Sequence, residues 1–420
     1  MGSLSLDGAA SSLDTGSSSP KVTSSVRDKF SAPNFGSRYL TEDQDVFSQN
    51  AWDHVPPPTD QEAKVAEALA RQHNTPVPES EKSKYNSTPA RHWDIFYKNN
   101  ENNFFRDRKW LHLEFPELVA ATQPGAGCST VLEIGCGAGN AVFPLLSSNQ
   151  NPDLSIIACD YSPRAVELVK SHALYASPPA GHIEASLWDL SSTSLPEGVP
   201  PGSVDIVVMI FVLSALHPNE WHQAIANVHT LLKPGGRVVL RDYGRYDLAQ
   251  LRFKEGRLLS DNFYIRGDKT RVYFFTLDEL ATIFTGSPVP STTQTNSTTV
   301  VETDADVAGD VTPSTDMIRS RTSSPFSPSE PIHTPNVHES NPSTSGINVS
   351  SIQPSPRTSH SPPTLSFNDA DGASPELALR HPLFSIEQLG VDNRLIVNRK
   401  RQLKMHRVWM QGKFVKLPGT

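Results

Sequence analysis

Cysteine is scarce in this sequence: Cys128, Cys136 and Cys159 are all it has in 420 residues. An odd trio with no CxxC pair and no histidine at ligand spacing supports neither a disulfide framework nor a structural zinc site, so no metal is expected. Long apolar runs are missing as well. No window approaches the roughly 18 apolar residues that a membrane-spanning helix needs. The opening MGSLSLDGAASSLDTGSSS has no basic stretch ahead of an apolar one and no arginine. The expected address is therefore the cytoplasm, with reduced thiols and no membrane partner. A net charge of −8 gives no overall basic excess that would point to an anionic ligand.

Proline is plentiful, with 35 residues, but it is unevenly placed. Positions 286–378 alone hold 13 Pro and 32 Ser or Thr in 93 residues, a composition that cannot bury a core. The same stretch carries ten acidic residues against Arg319, Arg321 and Arg357, a local −7 that leaves the rest of the chain near neutral. Ser-Pro or Thr-Pro steps begin at Ser287, Thr312, Ser324, Ser327, Thr334, Ser355, Ser361 and Ser374, and they suit proline-directed kinases. A disordered insert of this length can interrupt a domain at modest cost, because loop-closure entropy grows only with the logarithm of length.

The remaining sequence divides into a disordered head (1–32), an N-terminal helical extension (33–124), a core (125–285) and, beyond the insert (286–378), a C-terminal segment (379–420). In the core, STVLEIG, LSIIACD, HIEASLWDL, VDIVVMIFVLS and GRVVLRDYG are short runs rich in β-branched residues, separated by helical stretches. This alternation predicts an α/β fold with a doubly wound, mostly parallel sheet. FFTLDELATIF predicts a helix before the insert, and RLIVNRKRQLKMHRVWMQGKFV two strands joined by a basic turn, completing the sheet.

In such sheets ligands lie beyond the carboxyl ends of the strands, where strand order reverses. The first run ends in Glu133-Ile134-Gly135-Cys136-Gly137-Ala138-Gly139-Asn140, a GxGxG turn where a dinucleotide fingerprint would need GxGxxG. Glu133 would also face a pyrophosphate badly, so an uncharged or cationic nucleoside cofactor fits better. Asp160, 25 positions after Gly135, is placed to accept from a ribose diol. Asp189 can accept from an exocyclic amine, Leu190 can pack on the base and offer its N–H, and Ile210 ends the next strand. Four strand ends around one cleft point to S-adenosylmethionine. Upstream, Ser87-Thr88-Pro89 predicts a helix start, which puts Trp93 and Tyr97 at i and i+4 on one face.

These motifs, together with FGSRYLTEDQDVFSQNAWDHV, WDIFYKNNENNFFRDRKWLHLEFPEL, IFVLSALHP, LLKPGGRVVLRDYGRYDLAQLRFK and NFYIRGDKTRVYFFT, resemble the tRNA N3-methylcytidine methyltransferases, and most of all the threonine-tRNA subgroup. The resemblance implies a class I methyltransferase fold and cofactor contacts through Trp93, Tyr97, Gly135, Asp160, Asp189, Leu190 and Ile210. It also implies, as substrate, a cytidine in the anticodon loop of threonine tRNAs, with serine tRNAs as a further possibility. A synthetase or other auxiliary protein is a partner to consider. Lys269 stands where the family's NFYxRxDGTR segment usually has Gly, and the insert has no counterpart in the animal relatives.

N3 of cytosine carries a free lone pair at neutral pH, so no general base is required and positioning should supply most of the catalysis. The product base is cationic, which makes Asp242, after the fifth strand, the expected carboxylate near the developing charge. Phosphate contacts are expected from Arg106, Arg108, Lys109, Arg241, Arg266, Arg271, Arg399, Lys400 and Arg401; the tail from Val391 carries eight basic residues against Asp392 alone. Two alternatives are a methyltransferase of the same fold acting on a protein or small molecule, and a non-catalytic tRNA-binding subunit.

Overall fold

A computed structural model of the chain describes residues 39–108, 110–289 and 381–419. The head, almost the whole insert and its Ser-Pro and Thr-Pro steps other than Ser287 lie outside the described residues, as does Lys109. The N-terminal extension contributes a short strand, β1 (Ala51–Asp53), then helices α1 (Gln61–Asn74), α2 (Glu79–Asn86), α3 (Pro89–Asn100) and α4 (Pro116–Ala121). Pro89 opens α3 as its pattern predicts, but the Thr88 side chain makes no capping bond. The preset φ of proline carries that start instead.

The core alternates as the sequence predicts: β2 (Ser129–Ile134), α5 (Val142–Ser147), β3 (Leu154–Asp160), α6 (Pro163–Lys170), β4 (His182–Leu187), β5 (Val204–Ile210), α7 (Trp221–Leu231) and β6 (Leu232–Tyr243). The five strands are parallel. Helices cover both faces, so β5 is a continuous apolar run in which every residue but Asp205 is buried. One core cluster gathers Leu132, Val207 and Leu240 with α7; the other gathers Val131, Ile156 and Val208 with α5.

After β6 come three short antiparallel strands, β7 (Leu258–Ser260), β8 (Phe263–Ile265) and β9 (Arg271–Tyr273), which form a sheet of their own. Helix α8 (Leu277–Thr285) follows, opened by a Thr276/Glu279 capping box and closed by Gly286 at φ 76°. Beyond the insert, β10 (Phe384–Asn398) and β11 (Leu403–Lys416) form a long hairpin whose second strand pairs antiparallel with β6. The tail thus completes the sheet. Less expected from an extension read as helical, β1 pairs on the far side of β10, which gives the order β1-β10-β11-β6-β5-β2-β3-β4.

Lys269 adopts φ 69°, in the turn where its amide bonds to Arg266 O at 3.0 Å. The backbone at this position is therefore left-handed, the conformation a glycine takes at no steric cost, and the lysine bears the strain. Lys269→Gly is expected to raise stability by about 0.5–1 kcal/mol, read as a higher urea midpoint, the steric relief less the extra chain entropy of glycine. An unchanged midpoint would mean that the turn adapts.

Candidate active site

Strand order reverses at β2, with β3 and β4 on one side and β5 and β6 on the other. At that switch point a cleft opens over the strand ends. Gly135 and Gly137 follow β2, Asp160 ends β3, Asp189 and Leu190 follow β4, Ile210 ends β5 and Tyr243 ends β6, and all of them line the cleft. Trp93 and Tyr97 line it from α3, with their rings stacked at 6.0 Å. Every cofactor residue expected from the sequence is therefore brought to one place.

The glycine loop is tight. Gly135, Gly137 and Gly139 all have positive φ, and a Cβ on Gly137 would fall on the Tyr97 hydroxyl. Asp160 holds the loop from below: its Oδ2 accepts from Gly137 N at 2.9 Å and its Oδ1 from Ser162 N at 2.9 Å. Burial pushes its pKa up to about 6, against the lowering effect of those backbone donors. Glu133 lies deeper, with Oε2 accepting from Val142 N at the start of α5. Burial raises its pKa to about 8, opposed by the nearby Arg108 guanidinium and that amide. Asp189 is exposed, and one of its oxygens is taken by Ser191 N and Oγ at 2.9 and 2.7 Å.

A nucleoside with a cationic sulfonium fits this set. The absence of a Cβ on Gly137 lets the Tyr97 hydroxyl close onto the loop, and the buried Tyr161 hydroxyl on the cleft wall has no hydrogen-bond partner. Carboxylates at Asp160 and Asp189 supply acceptors and no phosphate-binding cation stands beside the glycine loop among the described lining residues other than Arg108.

The cleft continues past the cofactor strand ends to Phe104, Phe105, Arg108, Phe211, Tyr243, Arg266, Asp268 and Thr270. Two guanidinium groups lie over aromatic rings there: Arg108 is 5.2 Å from the Phe211 ring centre and Arg266 is 5.4 Å from that of Tyr243. Phe211 takes φ 60°, a strained setting that turns the chain at the end of β5. The sequence reading missed these aromatic residues and Asp268. Their one visible signal was position, since Phe211 and Tyr243 each come directly at a strand end.

Other expectations need correction. Asp242 is fully buried beneath the rim and does not line the cleft; its carboxylate accepts from Ser214 N and Tyr243 N at 2.9 and 2.8 Å. It fixes the turn after β5 and presents no carboxylate to a substrate. Arg241 is buried between Trp110 and Trp409 and ion-paired with Asp392. Arg271 is 1% exposed and ion-paired with Glu220 at 3.0 Å. Neither can reach a phosphate. In the tail, Arg394, Arg407, Lys413 and Lys416 are likewise buried, the first three in ion pairs. That leaves Arg399, Lys400, Arg401 and Lys404 around the hairpin tip, with Arg106 exposed and Arg108 and Arg266 in the cleft.

A doubly wound sheet with an antiparallel strand beside β6, and a glycine loop and acidic strand ends around one cleft, defines a class I S-adenosylmethionine-dependent methyltransferase. Residues 132–238 match the methyltransferase domain family. The chain is 56% identical over 253 residues to the tRNA(Thr) (cytosine(32)-N(3))-methyltransferase of Saccharomyces cerevisiae, a match covering 60% of this chain and 40% of that longer protein. It is 48% identical over 269 residues to the tRNA N(3)-methylcytidine methyltransferase of Schizosaccharomyces pombe, covering 64% of this chain and 86% of the relative. A tRNA N(3)-cytidine methyltransferase of Danio rerio is 43% identical over 285 residues, covering 61% and 80%. The chain belongs to the tRNA N3-methylcytidine methyltransferase family.

Proposed function

We propose that this protein transfers a methyl group to N3 of a cytidine in the anticodon loop of tRNA, with threonine tRNA as the substrate, as in the budding yeast relative named for cytosine 32. The observation that carries the reading is the outer half of the cleft, where Arg108 over Phe211 and Arg266 over Tyr243 offer flat cationic and aromatic faces. A base held with its Watson–Crick edge free must be splayed from its strand, and such faces hold splayed bases.

S-adenosylmethionine supplies an electrophilic methyl group. Trp93, Tyr97, Gly135, Gly137, Asp160, Asp189, Leu190 and Ile210 would hold it, with the glycine loop admitting close backbone approach and the aromatic pair covering it. The chain need not remove a proton, because cytosine N3 is already a free base. Its task is alignment and stabilisation of the positive charge that grows on the ring. With Asp242 engaged below the rim, the aromatic faces of Phe211 and Tyr243 and the Asp268 carboxylate are the groups of the outer cleft suited to that charge.

The hairpin suits the rest of the tRNA. The last backbone bond from β11 to the β6 side is Gly244 N to Val408 O, so the five residues Leu403–Arg407 run beyond it. At about 3.3 Å per residue they carry the tip roughly 16 Å outward on the substrate side. That tip bears Arg399, Lys400, Arg401 and Lys404. Replacing Arg399, Lys400 and Arg401 together with alanine is expected to weaken tRNA binding and reduce its logarithmic salt slope by about 2–3. Unchanged binding at two salt concentrations would remove the hairpin from the contact. A cytoplasmic address, an auxiliary protein partner and the limits of head, extension, core, insert and tail belong to the same reading.

The deciding experiment is methylation of threonine-tRNA transcripts by the full chain, with nucleoside analysis. N3-methylcytidine should form on the transcript with cytidine at position 32 and be lost when that base is uridine. Methylation of protein only, or at another base, would overturn the proposal.

A further inference from the structure

Helix α3 carries Asp94 between Trp93 and the turn that ends in Tyr97. Its Oδ1 accepts from Ser162 Oγ at 3.1 Å and from Arg164 N at 3.0 Å, at the N-terminus of α6. Ser162 is wholly buried and is itself the cap of α6, with Oγ accepting from Ala165 N at 3.2 Å. Its amide donates to Asp160 Oδ1, and Asp160 Oδ2 accepts from Gly137 N. An unbroken chain of hydrogen bonds therefore runs from α3 through Ser162 and Asp160 to the glycine loop. The Tyr97 hydroxyl meets the same Gly137 from above.

Most of the remaining contact between α3 and α6 is apolar: Trp93, Phe96 and Tyr97 against Ala165 and Leu168. Apolar burial is non-directional and leaves the two helices free to slide. A carboxylate accepting two bonds at a helix N-terminus has one geometry, and the helix dipole favours it. The remaining polar tie, Glu101 to Arg164 at 3.6 Å, is partly exposed and weak by comparison.

We propose that Asp94 is a positioning residue that latches α3 over the cofactor cleft. It fixes where Trp93 and Tyr97 sit relative to the glycine loop, so it sets cofactor affinity and residence while leaving the methyl-transfer step itself alone. The proposal rests on the reading of Trp93 and Tyr97 as the residues that cover the cofactor.

The test uses the full chain and its Asp94→Ala and Asp94→Asn variants. Titration calorimetry with S-adenosylmethionine alone should show about tenfold weaker binding for Asp94→Ala, the loss expected for hydrogen bonds to a charged group. Asp94→Asn keeps an oxygen that can accept both bonds and should return to within about threefold of the parent. The KM for the cofactor should rise for Asp94→Ala with kcat nearly unchanged, and the amides of α3 that follow Pro89 should exchange faster with solvent. If Asp94→Ala fails to fold, Asp94→Ser, which is polar but too short to span the gap, should show the same loss. A parent that does not bind the cofactor would sink the reading of the cleft. A parent that binds, with Asp94→Ala equal to it within about twofold, would sink the latch alone. So would a fall in kcat at constant KM.

Discussion

Gly137→Ala is expected to weaken binding of S-adenosylmethionine by roughly ten- to a hundredfold while the protein still folds. At φ 55° the position is left-handed, and an alanine there costs about 1–2 kcal/mol in the backbone alone. The larger effect is local. The new Cβ would fall on the Tyr97 hydroxyl, so the ring must leave its place beside the loop or the loop must drop. A dropped loop breaks the 2.9 Å bond from Gly137 N to Asp160, a buried carboxylate whose pKa is already pushed up to about 6. A lost bond to such a charged group costs about 1.5–3 kcal/mol, roughly ten- to a hundredfold in affinity, while the backbone strain falls on stability. Gly202→Ala is the matched control. Its φ of 65° is equally left-handed, but a Cβ there meets nothing within 4 Å, so stability should fall and cofactor binding should not. Calorimetry on both variants separates strain from the close approach. Binding by Gly137→Ala within about twofold of the parent would mean that Tyr97 does not sit on the loop in solution.

The elements visible in the sequence are those written in local pattern. The β-branched runs, the GxGxG turn and the i, i+4 pair of Trp93 and Tyr97 depend on residues close in sequence, and the fold places them as their spacing requires. Basic residues were harder to read because their partners are remote. Arg241 and Asp392 are 151 positions apart, and Lys413 finds Glu117 across 296. A count of charge in the tail cannot tell such residues from those at the hairpin tip. One signal was present: Asp392 and Arg394 are two apart in a strand, so both face the same side, and opposite charges on one face of a buried strand suggest an internal pair. The strand at Ala51–Asp53 was hidden for a related reason, since three residues carry too little pattern and its pairing partner is β10, on the far side of the insert. Asp242 misled because an acid at a strand end fits two uses equally well, and only the Ser214 amide shows which applies.

Arg241→Met is expected to destabilise the fold by a few kcal/mol without touching the cleft lining. The guanidinium lies 4.7 Å from the Trp110 ring centre and 4.6 Å from that of Trp409. It pairs with Asp392 and donates to Gln411 Oε1 at 2.9 Å, while Gln411 Nε2 donates to Glu114 Oε2 at 2.7 Å. Methionine fills much of the volume but satisfies neither acid. Breaking one side of an isolated buried pair costs about 3–5 kcal/mol; here Asp392 keeps Arg394 beside it, so the loss should fall toward or below the lower end of that range. The loss should depend on pH in a definite sense. Burial raises the Glu114 pKa from its ordinary value to about 7, with Arg241 the main charge holding it down. Between the unfolded and folded values the native state binds more protons, so this group removes stability as pH rises through that window. Without Arg241 the folded value moves higher still, and the penalty at pH 8 should exceed that at pH 5.5. Urea midpoints at the two pH values measure both effects. Replacing Arg241 and Asp392 together with Met and Leu should not recover the loss, because Asp392 also accepts from the buried Arg394 at 3.1 Å and that guanidinium would lose its nearest carboxylate. If the single variant lost less than about 1 kcal/mol, the pair would be hydrated, and the tail would be held to β6 by its backbone ladder and apolar contacts alone.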